Sequence, residues 1–173
     1  KHVVSGGYDR RILIWEPEAI VEFDFRNLAE GLAPTETTFQ ELTGHTDTVR
    51  SIRFSQDGTL IVSSGRDNTV RVWDIGSEKL IRTFRGHGSA VAAADFSADG
   101  RWILSAGGDG QAKRWSLDGD DEIQTLQGRR LAGHTNAVLG ASFSPDGQQV
   151  VTASQDRYAK SWSAESGDVT RAF

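Results

Sequence analysis

Gly44-His45, Phe54-Ser55-Gln56-Asp57-Gly58, Ser63, Asp67 and Trp73 form a set of landmarks that the chain repeats at constant spacing. They return as Gly86-His87, Phe96-Ser97-Ala98-Asp99-Gly100, Ser105, Asp109 and Trp115. They return again as Gly133-His134, Phe143-Ser144-Pro145-Asp146-Gly147, Thr152, Asp156 and Trp162. Each histidine precedes its aspartate by 22 positions, and each aspartate precedes its tryptophan by 6. A shorter copy opens the chain with Ser5, Asp9 and Trp15. Four chemically different residues held at constant offsets through three copies mark a repeat protein, in which each copy is one structural unit.

Each unit reads as a series of strands. An Asp-Gly pair at 57–58, 99–100 and 146–147 predicts a tight turn, because glycine accepts the positive backbone angle such a turn needs. Strand a runs into the phenylalanine before that turn, and strand b follows it at 60–64, 102–106 and 149–153. Strand c leads into the tryptophan at 69–73, 111–115 and 158–162, and strand d lies beyond it. In the opening copy, Ile12 and Ile14 alternate with other residues as in a strand, after a turn at Gly6-Gly7-Tyr8-Asp9. About fifteen strands are expected in all. Small residues crowd strand a (Ser51, Ala92, Ala93, Ala94, Gly140, Ala141), as suits strands that converge on an axis.

These landmarks resemble the WD40 β-propeller, whose unit is a four-stranded blade marked by Gly-His near its start and Trp-Asp near its end. Only the second copy ends in a literal Trp-Asp, Trp73-Asp74; the others read Trp15-Glu16, Trp115-Ser116 and Trp162-Ser163. The resemblance covers nearly the whole chain. It implies an all-β protein of about four four-stranded antiparallel blades, an incomplete or half ring, since family propellers mostly close with about seven. The expected blades are residues 1–42, 43–85, 86–132 and 133–173. The first carries an insertion at about 17–37 and lacks its innermost strand together with the Gly-His that would introduce it. A start at Lys1 and the absence of methionine lead us to expect a piece of something longer, or a half-ring that pairs with another copy.

A net charge of −5 argues against a general binder of nucleic acid, because phosphate backbones are held by clustered Lys and Arg. Arg10-Arg11 and Arg129-Arg130 are isolated doublets. With no cysteine there are no disulfides or thiolate metal sites, which suits a reducing, cytoplasmic setting. No apolar run approaches membrane-spanning length, so no membrane partner is expected.

Two connections depart from the shortest one. Trp15 to His45 spans 30 positions against 14 from Trp73 to His87. The surplus is acidic yet carries Ile20, Val21, Phe23, Phe25, Leu28 and Leu32. That apolar set either packs back on its blade or docks a partner. Asp118, Asp120, Asp121 and Glu122 alternate as calcium ligands do, but the sixth position of such a loop is Ile123 rather than glycine, which favours a solvated turn. No metal or other cofactor is expected.

Serine, histidine and aspartate recur together, which invites comparison with a hydrolytic triad. The family resemblance implies instead a structural relay from aspartate through histidine and a hydroxyl to the indole N–H. Its members would be His45, Ser63, Asp67 and Trp73; His87, Ser105, Asp109 and Trp115; and His134, Thr152, Asp156 and Trp162. The first copy keeps only Ser5, Asp9 and Trp15. A nucleophile is needed once, whereas this set recurs three times, and no Gly-x-Ser-x-Gly elbow occurs. No enzyme activity and no catalytic residue are expected.

Propellers of this family often dock partners on the face carrying the Gly-His loops and the b–c turns. The matching positions are Tyr8 in the first copy and Thr48, Arg50 and Arg66 in the second. They are Ala90, Ala92 and Gly108 in the third, and Ala137, Leu139 and Gln155 in the fourth. Arg50 and Arg66 either grip a carboxylate or phosphate on a partner peptide, or meet local acids such as Asp47 and solvent. The expected function is a non-catalytic protein-interaction scaffold. The alternatives are a half-propeller that closes as a homodimer and a regulatory module of a larger enzyme-containing chain.

Overall fold

Burial along a strand records how many neighbours its sheet has. The computed structural model describes residues 2–15, 39–118, 123–126 and 133–173, and all regular structure among them is β. The first sheet contains β1 (Val3–Gly6), β2 (Ile12–Trp15) and β3 (Phe39–Leu42). The second contains β4 (Val49–Phe54), β5 (Leu60–Gly65), β6 (Thr69–Asp74) and β7 (Lys79–Arg85). The third contains β8 (Val91–Phe96), β9 (Trp102–Gly107), β10 (Ala112–Ser116) and β11 (Ile123–Leu126). The fourth contains β12 (Val138–Phe143), β13 (Gln149–Ser154), β14 (Ala159–Ser163) and β15 (Val169–Ala172). Each sheet is an antiparallel meander, and among the described residues the first has three strands and the others four. The acidic insertion at 17–37, the carboxylates at 120–122 and Arg129-Arg130 lie outside the described residues.

Tight turns set the register. Gly58, Gly100 and Gly147 take φ of 73°, 71° and 70°, and each donates its N–H to the carbonyl of the serine three residues earlier. That serine's hydroxyl bonds the turn aspartate, Ser55 to Asp57 at 2.6 Å, so Phe-Ser-x-Asp-Gly is a self-contained turn.

Apolar faces then stack sheet on sheet. Ile12, Ile14 and Leu42 of the first sheet pack on Val49, Ile61 and Trp73 of the second. Val62, Val70, Val72 and Phe84 of the second pack on Val91, Ile103 and Trp115 of the third. Leu104 and Ala112 of the third meet Val150 and Trp162 of the fourth. Each large side chain removed from water in this way contributes roughly 1.5–3 kcal/mol. The innermost strands β4, β8 and β12 lie side by side in that order.

Sheets covered on both sides lose the usual alternation. β5 and β9 are buried at five consecutive residues, whereas β13 alternates exposed and buried along its first four. Val151 on β13 is 46% exposed, while Val62 and Leu104, which hold the same place in their repeats, are fully buried. Phe173 is exposed where Phe84 is buried, and Val3 is exposed where Ile61, Ile103 and Val150 are buried. Among the described residues no sheet covers the outer face of the first or of the fourth. No helix among them is long and apolar enough to cross a membrane.

Candidate functional site

Two kinds of site arise from the repeats, one buried in each of the three complete copies and one on the surface. In the buried one, His45 Nδ1 lies 2.8 Å from Asp67 and its Nε2 lies 2.8 Å from Ser63 Oγ, which accepts from Trp73 Nε1 at 2.8 Å. His87, Asp109, Ser105 and Trp115 repeat the arrangement at 2.8–2.9 Å. His134, Asp156, Thr152 and Trp162 repeat it at 2.7–2.8 Å. The indole can only donate, and a neutral ring that gives its Nδ1–H to the carboxylate leaves Nε2 to accept. Ser63 Oγ accepts from the indole and donates to His45 Nε2, and His45 Nδ1–H donates to Asp67, so a neutral histidine satisfies every member.

Electrostatics agree with that assignment. Burial is the largest influence on His45 and His87 and pushes both below the usual imidazole value, overcoming Asp67 and Asp109, which favour the cation. For Asp67, burial opposes ionisation, but hydrogen bonds from Thr69, His45 and the Thr46 N–H hold the carboxyl below its usual range. Asp109 behaves alike through Gly88 N–H and His87. Asp156, against burial, is drawn down to about 2 by Tyr158 N–H, His134 and Thr135 N–H.

A further member escaped the sequence reading. The residue four after each aspartate is a cation, Arg71, Lys113 or Lys160, inside a strand where alternation would suggest only pleat. Arg71 lies 3.7 Å from Asp67 and donates to Thr69 Oγ1 at 3.2 Å. Lys113 is buried and sits in the field of Asp109, and Lys160 Nζ donates to the Gly133 carbonyl at 3.0 Å. In the first copy the position is Leu13, and the histidine is absent too. There Trp15 Nε1 still donates to Ser5 at 3.0 Å, but Ser5 is exposed. The threefold offset in the sequence was the available signal.

Gly44 links this relay to the loop before strand a. Its φ is +153°, and a Cβ there would stand 2.8 Å from Arg71 Nη1 and 3.1 Å from the Trp73 ring. The b–c turn is tied to the same loop by one repeated bond: Arg66 N–H to Thr48 O, Gly108 N–H to Ala90 O, and Gln155 N–H to Ala137 O, at 2.8–3.0 Å.

The surface site is a concavity of about 560 Å³ lined by Gly6, Gly7, Tyr8, Thr48, Val49, Arg50, Arg66, Ala92 and Leu139. It gathers five of the six candidate partner residues and leaves out Gln155, which is exposed elsewhere; Ala90, Gly108 and Ala137 do not line it either. The cause is a β-bulge repeated at the same place in all three complete sheets. Val49 pairs with Gly65 and Ser51 with Ser64, so Arg50 is the extra residue; Ala92 and Leu139 are the extra residues of β8 and β12. A bulged residue leaves the pleat and is re-aimed. Three neighbouring innermost strands thereby turn Arg50, Ala92 and Leu139 toward one hollow.

Arg50 and Arg66 are exposed, and neither has a carboxylate within ion-pair distance among the described residues. Asp47, the nearby acid, turns to Thr48, accepting from its N–H at 2.6 Å and its hydroxyl at 3.2 Å. Asp118 of the acidic run is paired instead with Arg101, at 3.2 Å. Among the described residues no cluster of three or more His, Cys, Asp or Glu could hold a metal ion.

Comparison with known proteins agrees with this geometry. The family description "WD domain, G-beta repeat" matches residues 36–74, 78–116 and 124–163, more than half of the chain. A subunit of chromatin assembly factor 1 from Mus musculus is 35% identical over 88 residues, covering 47% of this chain and 15% of that protein. An uncharacterised WD repeat-containing protein of Synechocystis is 43% identical over 61 residues, 35% of this chain and 16% of that protein. The small ribosomal subunit protein RACK1 of Caenorhabditis elegans is 32% identical over 82 residues, 47% of this chain and 23% of that protein. The matches thus span less than a quarter of each relative's length. Three matched repeats, four blade-like sheets and a relay recurring at one spacing make this chain a member of the WD40 repeat family.

Proposed function

We propose that the chain is a non-catalytic protein-interaction scaffold that receives its partner in the concavity bounded by Tyr8, Arg50, Arg66 and Leu139. The observation that carries the reading is the threefold bulge, which turns one residue of each innermost strand into a single hollow. Bulges that re-aim side chains cost ladder pairing and tend to lie beside functional surfaces. Exposed tyrosine, leucine and arginine together suit protein recognition better than small-molecule chemistry. Two of the relatives bear names of components of larger assemblies, a chromatin assembly factor and a small ribosomal subunit. Burial of Ser63, Ser105 and Thr152 inside hydrogen-bonded relays supports the non-catalytic part of the reading.

A photo-crosslinking side chain placed at Tyr8 or Leu139, with Leu80 on the outermost strand β7 as control, tests it. Leu80 is also exposed, so accessibility alone does not separate the positions. A protein crosslinked from positions 8 and 139 but not from 80 is the expected result. The same products from all three positions would remove the reading.

Self-association is a second reading, favoured by the exposure of Val151 and Phe173 at places that are buried in the second sheet. Light scattering across a range of concentrations tests it: a stable dimer supports it, and a monomer throughout removes it.

A further inference from the structure

We propose that the concavity selects a phosphorylated side chain on a partner peptide, held between Arg50 and Arg66, with an adjacent apolar residue lying against Ala92 and Leu139. The proposal rests on the reading of this hollow as the docking surface. Its charge is the first reason. The chain is acidic overall at −5, yet among the described residues the only charged ones lining the hollow are two arginines. Three of the other described arginines have an acid within ion-pair distance: Arg11 pairs with Glu41 at 3.4 Å, Arg101 with Asp118 at 3.2 Å, and Arg71 has Asp67 at 3.7 Å. At the hollow the nearby acid, Asp47, accepts two hydrogen bonds from Thr48 and feels the charge of Arg66 without coming within ion-pair distance of it.

Two guanidinium groups with no ion pair among the described residues present a formal charge of +2 at one mouth. A phosphoryl group near neutral pH carries about −1.5 to −2 and three acceptor oxygens, whereas a carboxylate carries −1 and two. The planar fork of arginine donates to such oxygens in pairs. Arg50 reaches the hollow because it is the bulged residue of β4, and Arg66 because its N–H is tied to the Thr48 carbonyl at 2.9 Å.

The apolar side is the second reason. Leu139 is 51% exposed at the place where the two preceding repeats carry Arg50 and Ala92. A large exposed side chain beside a small one forms a step against which an apolar neighbour of the phosphorylated residue loses water. Tyr8, 86% exposed, also lines the hollow.

The test uses degenerate peptide libraries centred on phosphoserine, on glutamate and on unmodified serine, each dye-labelled and titrated by fluorescence anisotropy. The expected result is retention of the phosphoserine library, about ten-fold or more tighter than the glutamate library, and weakened by salt. Arg50→Gln and Arg66→Gln each weaken that binding about ten-fold or more, with an unchanged melt because both residues are exposed. Leu139→Ala changes the preferred neighbour of phosphoserine without removing the phosphate dependence. Equal affinity for the glutamate and phosphoserine libraries, unchanged binding by either arginine variant, or no binding of any library overturns the proposal. Phosphate-independent binding that Leu139→Asp abolishes would overturn it while leaving the docking surface intact.

Discussion

His45 Nε2 lies 2.8 Å from the Oγ of Ser63, a residue 18 positions away in sequence and wholly shielded from solvent. Burial keeps the ring neutral and its Nδ1–H goes to Asp67, so Nε2 carries no proton and accepts that of the hydroxyl, whose oxygen receives the Trp73 indole N–H at 2.8 Å. The stability of the blade therefore depends on His45 staying neutral and on Asp67 holding its Nδ1–H.

Removing the acid tests that dependence. Asp67→Ala strands a buried imidazole, the Thr46 N–H and the Thr69 hydroxyl, and should destabilise the chain by about 2–4 kcal/mol in a urea melt. Asp9→Ala in the first copy, which has no histidine, should change stability by no more than about 0.5 kcal/mol.

Acid should weaken the fold in two stages. His45 and His87 titrate in the folded chain below their ordinary value of 6.5, so the unfolded chain binds protons first as pH falls. Their contribution is complete above pH 6.5 and declines below it as pH falls toward their folded values. Asp67, Asp109 and Asp156 are also depressed, and their contribution is lost on further acidification below 3.8, for Asp156 down to about 2. Melting temperatures measured from pH 8 to pH 3 should fall in that order; a flat profile between pH 7 and 5 would show that the histidines do not titrate with folding.

A fluorophosphonate probe should leave Ser63 and Ser105 unlabelled in the native chain, since both hydroxyls are buried and hydrogen-bonded on two sides. Mass spectrometry of the treated protein reads the result. Labelling at either serine would give the relay a chemical role.

The glycines of the repeat should separate by mechanism. Gly100→Ala meets nothing within 4 Å, so the φ of +71° alone costs about 1 kcal/mol. Gly44→Ala should cost more, because the added carbon crowds Arg71 and the Trp73 ring. Gly133→Ala, with open space and no positive φ, should be within about 0.5 kcal/mol of the parent. Chemical denaturation of the three variants ranks them.

Equivalent valines should likewise respond unequally. Val62→Asp places a charge between two packed sheets and should prevent native folding or cost more than about 4 kcal/mol. Val151→Asp, at the same place in its repeat but on an open face, should leave the melt within about 0.5 kcal/mol. Circular dichroism compares them directly.

The repeat, the all-β class and the membership of the relay were legible in one dimension for a physical reason. A buried polar network tolerates few residue types and holds them at set distances along neighbouring strands, so it leaves the same spacing, 22 and then 6, in every complete copy. The Asp-Gly turns were legible on the same ground, because only a small set of residues accepts their backbone. Arg71, Lys113 and Lys160 were harder to read, since a cation inside a strand acquires meaning only once Asp67 or the Gly133 carbonyl is seen beside it. The bulges at Arg50, Ala92 and Leu139 were decided by tertiary structure alone. A bulge is one surplus residue against a partner strand, and neither alternation nor composition records it. Whether those three residues share one hollow depends on how successive sheets stack, as does the difference between buried Val62 and exposed Val151. The amino-acid sequence determined what each blade is; the stacking of blades determined which of its residues meet the outside.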